Sequence, residues 1–141
     1  MFHFPVVVEL KYKKSSMSTS VTHYYLSIDI ESTGDRFENP VIAIGACFGP
    51  ADGSWPRDKL KIFRGNLKPL PGDVDNPQCM SEFWAKNQAV YKEIVANAKD
   101  AGEVMTDFLH FCQDVVAIYE LDPQNPGSIQ IVTDRPDLYG H

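Results

Sequence analysis

The sequence predicts an α/β domain built on a mixed sheet. Three observations predict it: short apolar runs divided by turn-rich segments over residues 24–67, apolar residues three and four apart over 81–117, and a β-branched run at 129–132. Three strands so close in sequence pair as an antiparallel meander that opens the sheet, and the helices pack on it.

Residues 24–30 read as a strand that ends in charge, and residues 40–48 as a second strand buried on both faces. Between them Gly34 and Asn39-Pro40 mark turns, and two glycines and two prolines over 49–56 mark another. Residues 60–67 alternate as a third strand, and 69–77 are loop. Ser81 has the side chain of an N-cap for a helical segment holding Phe83, Trp84, Val90, Tyr91, Ile94 and Val95, with a break near Asn87. A second helix is expected over 101–117, where Val104, Met105, Phe108, Leu109, Phe111, Cys112, Val115 and Val116 recur at helical spacing. A loop at 122–128 leads to the fourth strand, which ends in Thr133-Asp134-Arg135-Pro136-Asp137.

A chain of 141 residues is one domain's worth, and 43% hydrophobic with 23% charged residues is ordinary for a folded protein. The first 20 residues end in a polar stretch without periodicity and read as a flexible leader, the domain proper occupying 21–141. Met17 is an alternative start of translation. The longest apolar run, residues 4–8, is far too short for a membrane span, and the lysines follow it rather than precede it, so neither anchor nor targeting segment is expected. Three widely spaced cysteines suggest neither a disulfide framework nor a zinc ribbon, which fits a reducing cytoplasm. A net charge of −6 argues against holding nucleic acid by bulk electrostatics, but bound divalent cations reverse the local sign, so acidity favours a metal site over a basic cleft.

The chemistry concentrates in Ser27-Ile28-Asp29-Ile30-Glu31-Ser32-Thr33-Gly34. Side chains two apart on a strand share a face, so Asp29 and Glu31 project together while Ile28 and Ile30 take the buried side. Two neighbouring carboxylates repel unless a cation or proton lies between them. An exposed strand end running into solvent is the plainer explanation, against which stand the apolar strand before, the Ser-Thr-Gly after, and another apolar strand close behind.

Asp-x-Glu-Ser-Thr-Gly between two such strands resembles the first motif of the DEDD superfamily of ribonuclease H-like 3′-to-5′ exonucleases. Glu82-Phe83-Trp84, followed by a helix, a gap and the amphipathic helix to Ala117, is similar to compact viral and bacterial 3′-to-5′ exoribonucleases. The resemblance spans residues 24–140 and implies a ribonuclease H-like fold. It also implies Asp29 and Glu31 as catalytic ligands of two Mg²⁺ or Mn²⁺ ions, and Ser32 and Thr33 beside the terminal nucleotide. Trp84 is expected to be structural.

The family's second motif places an Asp just after the fourth strand. Thr133-Asp134-Arg135-Pro136-Asp137-Leu138-Tyr139 matches at its beginning, but an ungapped match puts Tyr139 where the Asp belongs. Either Asp137 supplies the carboxylate, or Asp134 reaches the site from the strand end, or the third ligand is lost. A solvated turn with a helix-capping Asp is the plainer reading of both; against it, the resemblance implies Asp134 and Asp137 jointly as candidate catalytic and metal-binding residues. The last family motif, a His or Tyr followed by a fourth Asp, has no counterpart before His141, so the domain is expected to be C-terminally incomplete.

The implied activity is two-metal hydrolysis of phosphodiester bonds from a 3′ end. Single strands are favoured over duplex because the terminal nucleotide must be splayed and stacked. RNA against DNA is left open. Two rival classes remain: a truncated or degenerate exonuclease-fold module that binds nucleic acid or a protein partner without catalysis, and an unrelated α/β scaffold. A homodimer is one way to cover sheet surface that a missing strand and helix would leave exposed.

Overall fold

The computed structural model describes residues 3–11, 23–121 and 128–136, with side chains over 23–121 and 129–133. Five strands form one mixed sheet: β1 (His3–Lys11), β2 (Tyr24–Ser32), β3 (Val41–Pro50), β4 (Lys61–Asn66) and β5 (Ser128–Pro136). Their order is β1-β5-β2-β3-β4. β2, β3 and β4 are the expected antiparallel meander, whereas β5 runs parallel to β2. The meander does not open the sheet, because β1 precedes it in the chain.

Residues 3–11 were expected within a flexible leader and instead form the edge strand β1, paired antiparallel with β5 from His3↔Pro136 to Lys11↔Ser128. The β-branched run Val6-Val7-Val8 suits that place. Pairing along its whole length also makes β5 longer than the expected 129–132. Thr133 to Pro136, where the strand was expected to end, belong to it.

The chain leaves β4 through α1 (Pro77–Glu82), a 3₁₀ turn at Trp84–Lys86, α2 (Gln88–Ala96) and α3 (Ala101–Leu121). A helical crossover is what a return to a parallel position requires. Ser81 is not the expected N-cap. Asn76 takes that role, its side chain accepting from the Cys79 N–H at 3.0 Å with Pro77 fixing the first helical residue, and Ser81 Oγ donates instead to the Gln78 carbonyl. The break near Asn87 is present, and α3 extends to Leu121 rather than Ala117. Among the described residues no helix is long and apolar enough to cross a membrane.

The helices described here pack on one face of the sheet. Tyr24, Leu26, Ala46, Phe48 and Ile129 meet Val115 and Tyr119 of α3 in the main core. Ile44 and Leu67 pack with Val104, and Ile42 packs with Cys79, Trp84 and Ile94. Tyr24 stacks on Phe48 with ring centroids 5.4 Å apart and meets Tyr119 edge-on. The opposite face carries Tyr25, Ser27, Asp29, Ile62 and Arg64, all exposed.

Phe48 is fully buried at the centre of the aromatic cluster, so Phe48→Ala should lower unfolding stability by about 3–5 kcal/mol in urea titrations. Ile62→Ala, on the open face, should cost far less, and equal losses would contradict the one-sided core.

Candidate functional site

Asp29 and Glu31 stand on the open face of β2, where β3 offers only small residues: Asp29 pairs with Gly45 and Glu31 with Ala43. Asp29 is exposed and Glu31 half-buried. Ile28 packs into the core as expected. Ile30 faces the same side but keeps 37% of its surface, because it lies beyond the residues that α3 covers. On the other side of β2 the parallel register sets Asp134 directly opposite Asp29. Adjacent strands lie about 4.8 Å apart, so three acidic residues gather at this end of the two strands. Asp134 is thus a strand residue and not part of a turn. Asp137 lies outside the described residues.

The end of β2 is clamped. Beyond Glu31 the β2–β3 register shifts, so that Ser32 pairs with Val41 and Ile42 is the extra residue of a bulge. Trp84 Nε1 donates to the Ser32 carbonyl at 3.0 Å, and Ser32 Oγ donates to the Gly34 carbonyl. Thr33 donates its N–H to the Pro40 carbonyl and accepts from the Asn76 N–H. Asn39 accepts from the Arg36 N–H and donates to the Val74 carbonyl. A side chain at Gly34 would run into Asn39 Oδ1 and Asn76 Cβ, so this crossing of the loop over the start of α1 admits only glycine.

These contacts correct one expectation. Thr33 has no exposed surface, and among the described residues its hydroxyl has no hydrogen-bond partner, so it is interior and does not present itself to a nucleotide. Ser32 is half-buried with its hydroxyl committed to the Gly34 carbonyl. Trp84 is structural, as expected: 3% exposed and tied to the tip of β2.

A cavity of about 630 Å³ begins at Gly34 and Asp35, three residues past Glu31, and continues along Asn76, Cys79, Phe83 and Lys86. Phe83 keeps 40% of its surface and meets Trp84 edge-on with centroids 4.8 Å apart. Its ring is held by Trp84 and half open, a surface on which a planar ligand can stack. The sequence signal for it was the adjacent aromatic pair, of which one member had to face outward. The cavity has an acidic environment: burial first, then the charges of Asp35, Asp75 and Glu31, push the Cys79 thiol above its ordinary value. Burial and Asp75 likewise raise Tyr91.

The described side chains offer carboxylate oxygens on the open face, the donor type that hard cations prefer, and a half-open aromatic ring at the cavity. Among the described residues no group of three or more His, Cys, Asp or Glu is arranged to hold a metal ion, the side chain of Asp134 lying outside that set. Comparison with family models, curated proteins and solved structures finds no match to this chain.

Two outcomes follow from the clamp. Trp84→Phe removes the donor to the Ser32 carbonyl and should cost about 1–3 kcal/mol, with amide exchange accelerated first around Thr33 and Gly34. For Cys79, the thiol is protonated in both states below its ordinary value of 9.0, and its contribution is intact there. As pH rises past that value the unfolded state ionises first, so stability falls until the folded thiol also ionises. Wild-type stability should therefore drop more between pH 8 and pH 10 than that of Cys79→Ala, and parallel pH profiles would contradict the raised thiol.

Proposed function

We propose that this chain is a metal-dependent 3′-to-5′ exonuclease of the DEDD, ribonuclease H-like group, acting on single-stranded nucleic acid, with RNA the first substrate to test. The observation that carries the proposal is the shared open face of Asp29 and Glu31 together with the placement of Asp134 opposite Asp29. The strand order supports it as well: a crossover through helices brings a fourth strand of the domain, β5, parallel to the acidic strand and beside it. Without that return, the acid of the second motif would lie far from the first.

The donors fit a hard divalent cation. They are carboxylates, the oxygen donors such a cation prefers, and its charge would offset the repulsion between them. Asp29 and Glu31 would hold it, with Asp134 as the third ligand. Two such ions, when bound, supply a nucleophilic water at neutral pH and neutralise the leaving 3′ oxygen. The protein's own part is placement. The bulge and the Trp84 hydrogen bond hold Glu31 at a fixed angle, the half-open ring of Phe83 offers a stacking surface for the terminal base, and Lys86 supplies a cation to a phosphate at the cavity rim.

Asp29→Asn and Glu31→Gln should each reduce Mn²⁺-dependent release of mononucleotides from a 3′-labelled oligoribonucleotide by about 100-fold or more. In chelator, Asp29→Asn should melt at or above the wild-type temperature because like-charge repulsion is relieved, and added Mn²⁺ should raise the melting temperature of the wild type only. A second reading, a non-catalytic nucleic-acid-binding module of the same architecture, is favoured by the departure from the family's second motif, which puts Tyr139 where the Asp belongs. A wild type that neither shifts with Mn²⁺ nor releases nucleotides would leave that second reading standing and remove the first.

A further inference from the structure

A second feature of the open face lies outside the carboxylate pair. Register places Asp29, Gly45 and Arg64 in one row across β2, β3 and β4. The neighbouring row is Ser27, Cys47 and Ile62. A shallow groove of about 230 Å³ runs over both rows. Gly45 is the unusual member. Glycine weakens a strand interior, and here no close approach demands it, since a Cβ at this position would meet nothing within 4 Å. Its φ is not in the left-handed region either. What the missing side chain provides is an open floor between an acid and an arginine.

Arg64 is exposed on the same face, and among the described residues no ion pair occupies its guanidinium. Neighbouring strands about 4.8 Å apart put the backbones of Asp29 and Arg64 roughly 10 Å from each other. Arg64 leaning over Gly45 can therefore meet an anion lying on the groove floor, while at the far end Asp29 would meet it only through a bound cation. An arginine on an edge strand also discourages unwanted pairing, but that role would not call for a glycine beside it. A planar, permanently charged guanidinium suits a phosphodiester oxygen pair.

We infer that the Gly45 floor and Arg64 form a backbone-binding strip that carries the sugar-phosphate chain of a single-stranded nucleic acid away from Asp29, with Arg64 on a phosphate. This rests on the nuclease reading for its choice of ligand. The strip gives a net acidic protein a local positive contact for its substrate.

The test is fluorescence anisotropy of a labelled oligouridylate at several salt concentrations, in Ca²⁺ buffer, with wild type, Arg64→Ala, Arg64→Lys, Gly45→Val and, as a charge control on a surface loop, Lys68→Ala. Arg64→Ala should weaken binding at least 5-fold and reduce the slope of log K against log salt by about 0.7, with partial recovery in Arg64→Lys and little change in Lys68→Ala. Gly45→Val should melt at or above the wild-type temperature, because a β-branched residue replaces glycine in open space, and still bind at least 5-fold more weakly. Wild-type affinity in Arg64→Ala or in Gly45→Val, or a wild type that does not bind the oligonucleotide, overturns the strip. Mn²⁺ calorimetry on wild type and Asp29→Asn separates the two ideas. Arg64-dependent binding without Asp29-dependent Mn²⁺ uptake sinks the nuclease and retains the strip, and the reverse pattern retains the nuclease and sinks the strip.

Discussion

The alternation of side chains along β2 constrains everything else in this protein. Tyr24, Leu26 and Ile28 point toward α3, while Ser27, Asp29 and Glu31 point away from it. A slip of one residue would turn both carboxylates to the helix side of the sheet and lift the apolar set into water. Each uncompensated buried charge would cost several kcal/mol, so the acids fix the register from one side as firmly as the hydrophobic residues fix it from the other. Since the described helices cover one face of the sheet, the same alternation that builds the core also delivers the acids to open ground.

What surrounds the acids gives the pair a defined setting. The crossover through three helices returns β5 alongside β2 and sets Asp134 opposite Asp29. The bulge at Ile42, the Trp84 hydrogen bond and the double use of Thr33's backbone hold the tip of β2 against α1. Packing and position are thereby coupled: the tryptophan that fills the small core over Ile42 also orients the strand end next to Glu31. Its neighbour Phe83 cannot be buried by the same short 3₁₀ turn, and its ring is left at the cavity.

Much of the architecture was legible because it rests on local periodicity. The meander, the break near Asn87 and the long amphipathic helix each follow from spacing within one segment. The failures share a different cause. β1 was read as a leader since its partner lies more than a hundred residues away, and no local pattern announces such a pairing. Ser81 has the side chain of an N-cap, but its hydroxyl works equally well inside a last turn, and Asn76 caps the helix instead. Thr33 looked available to a ligand because it follows the acids directly, yet both its backbone groups are consumed by the crossing of loop and helix, which draws its side chain inward.

The sequence by itself determined that Asp29 and Glu31 share one face, because a strand alternates with a period of two whatever surrounds it. Only the tertiary structure decided that this face is the open one, that Asp134 stands beside Asp29, and that Gly45 and Arg64 extend the same row. Those relations depend on which strands become neighbours and in what register. Contacts between distant segments settle that, and no single segment encodes it.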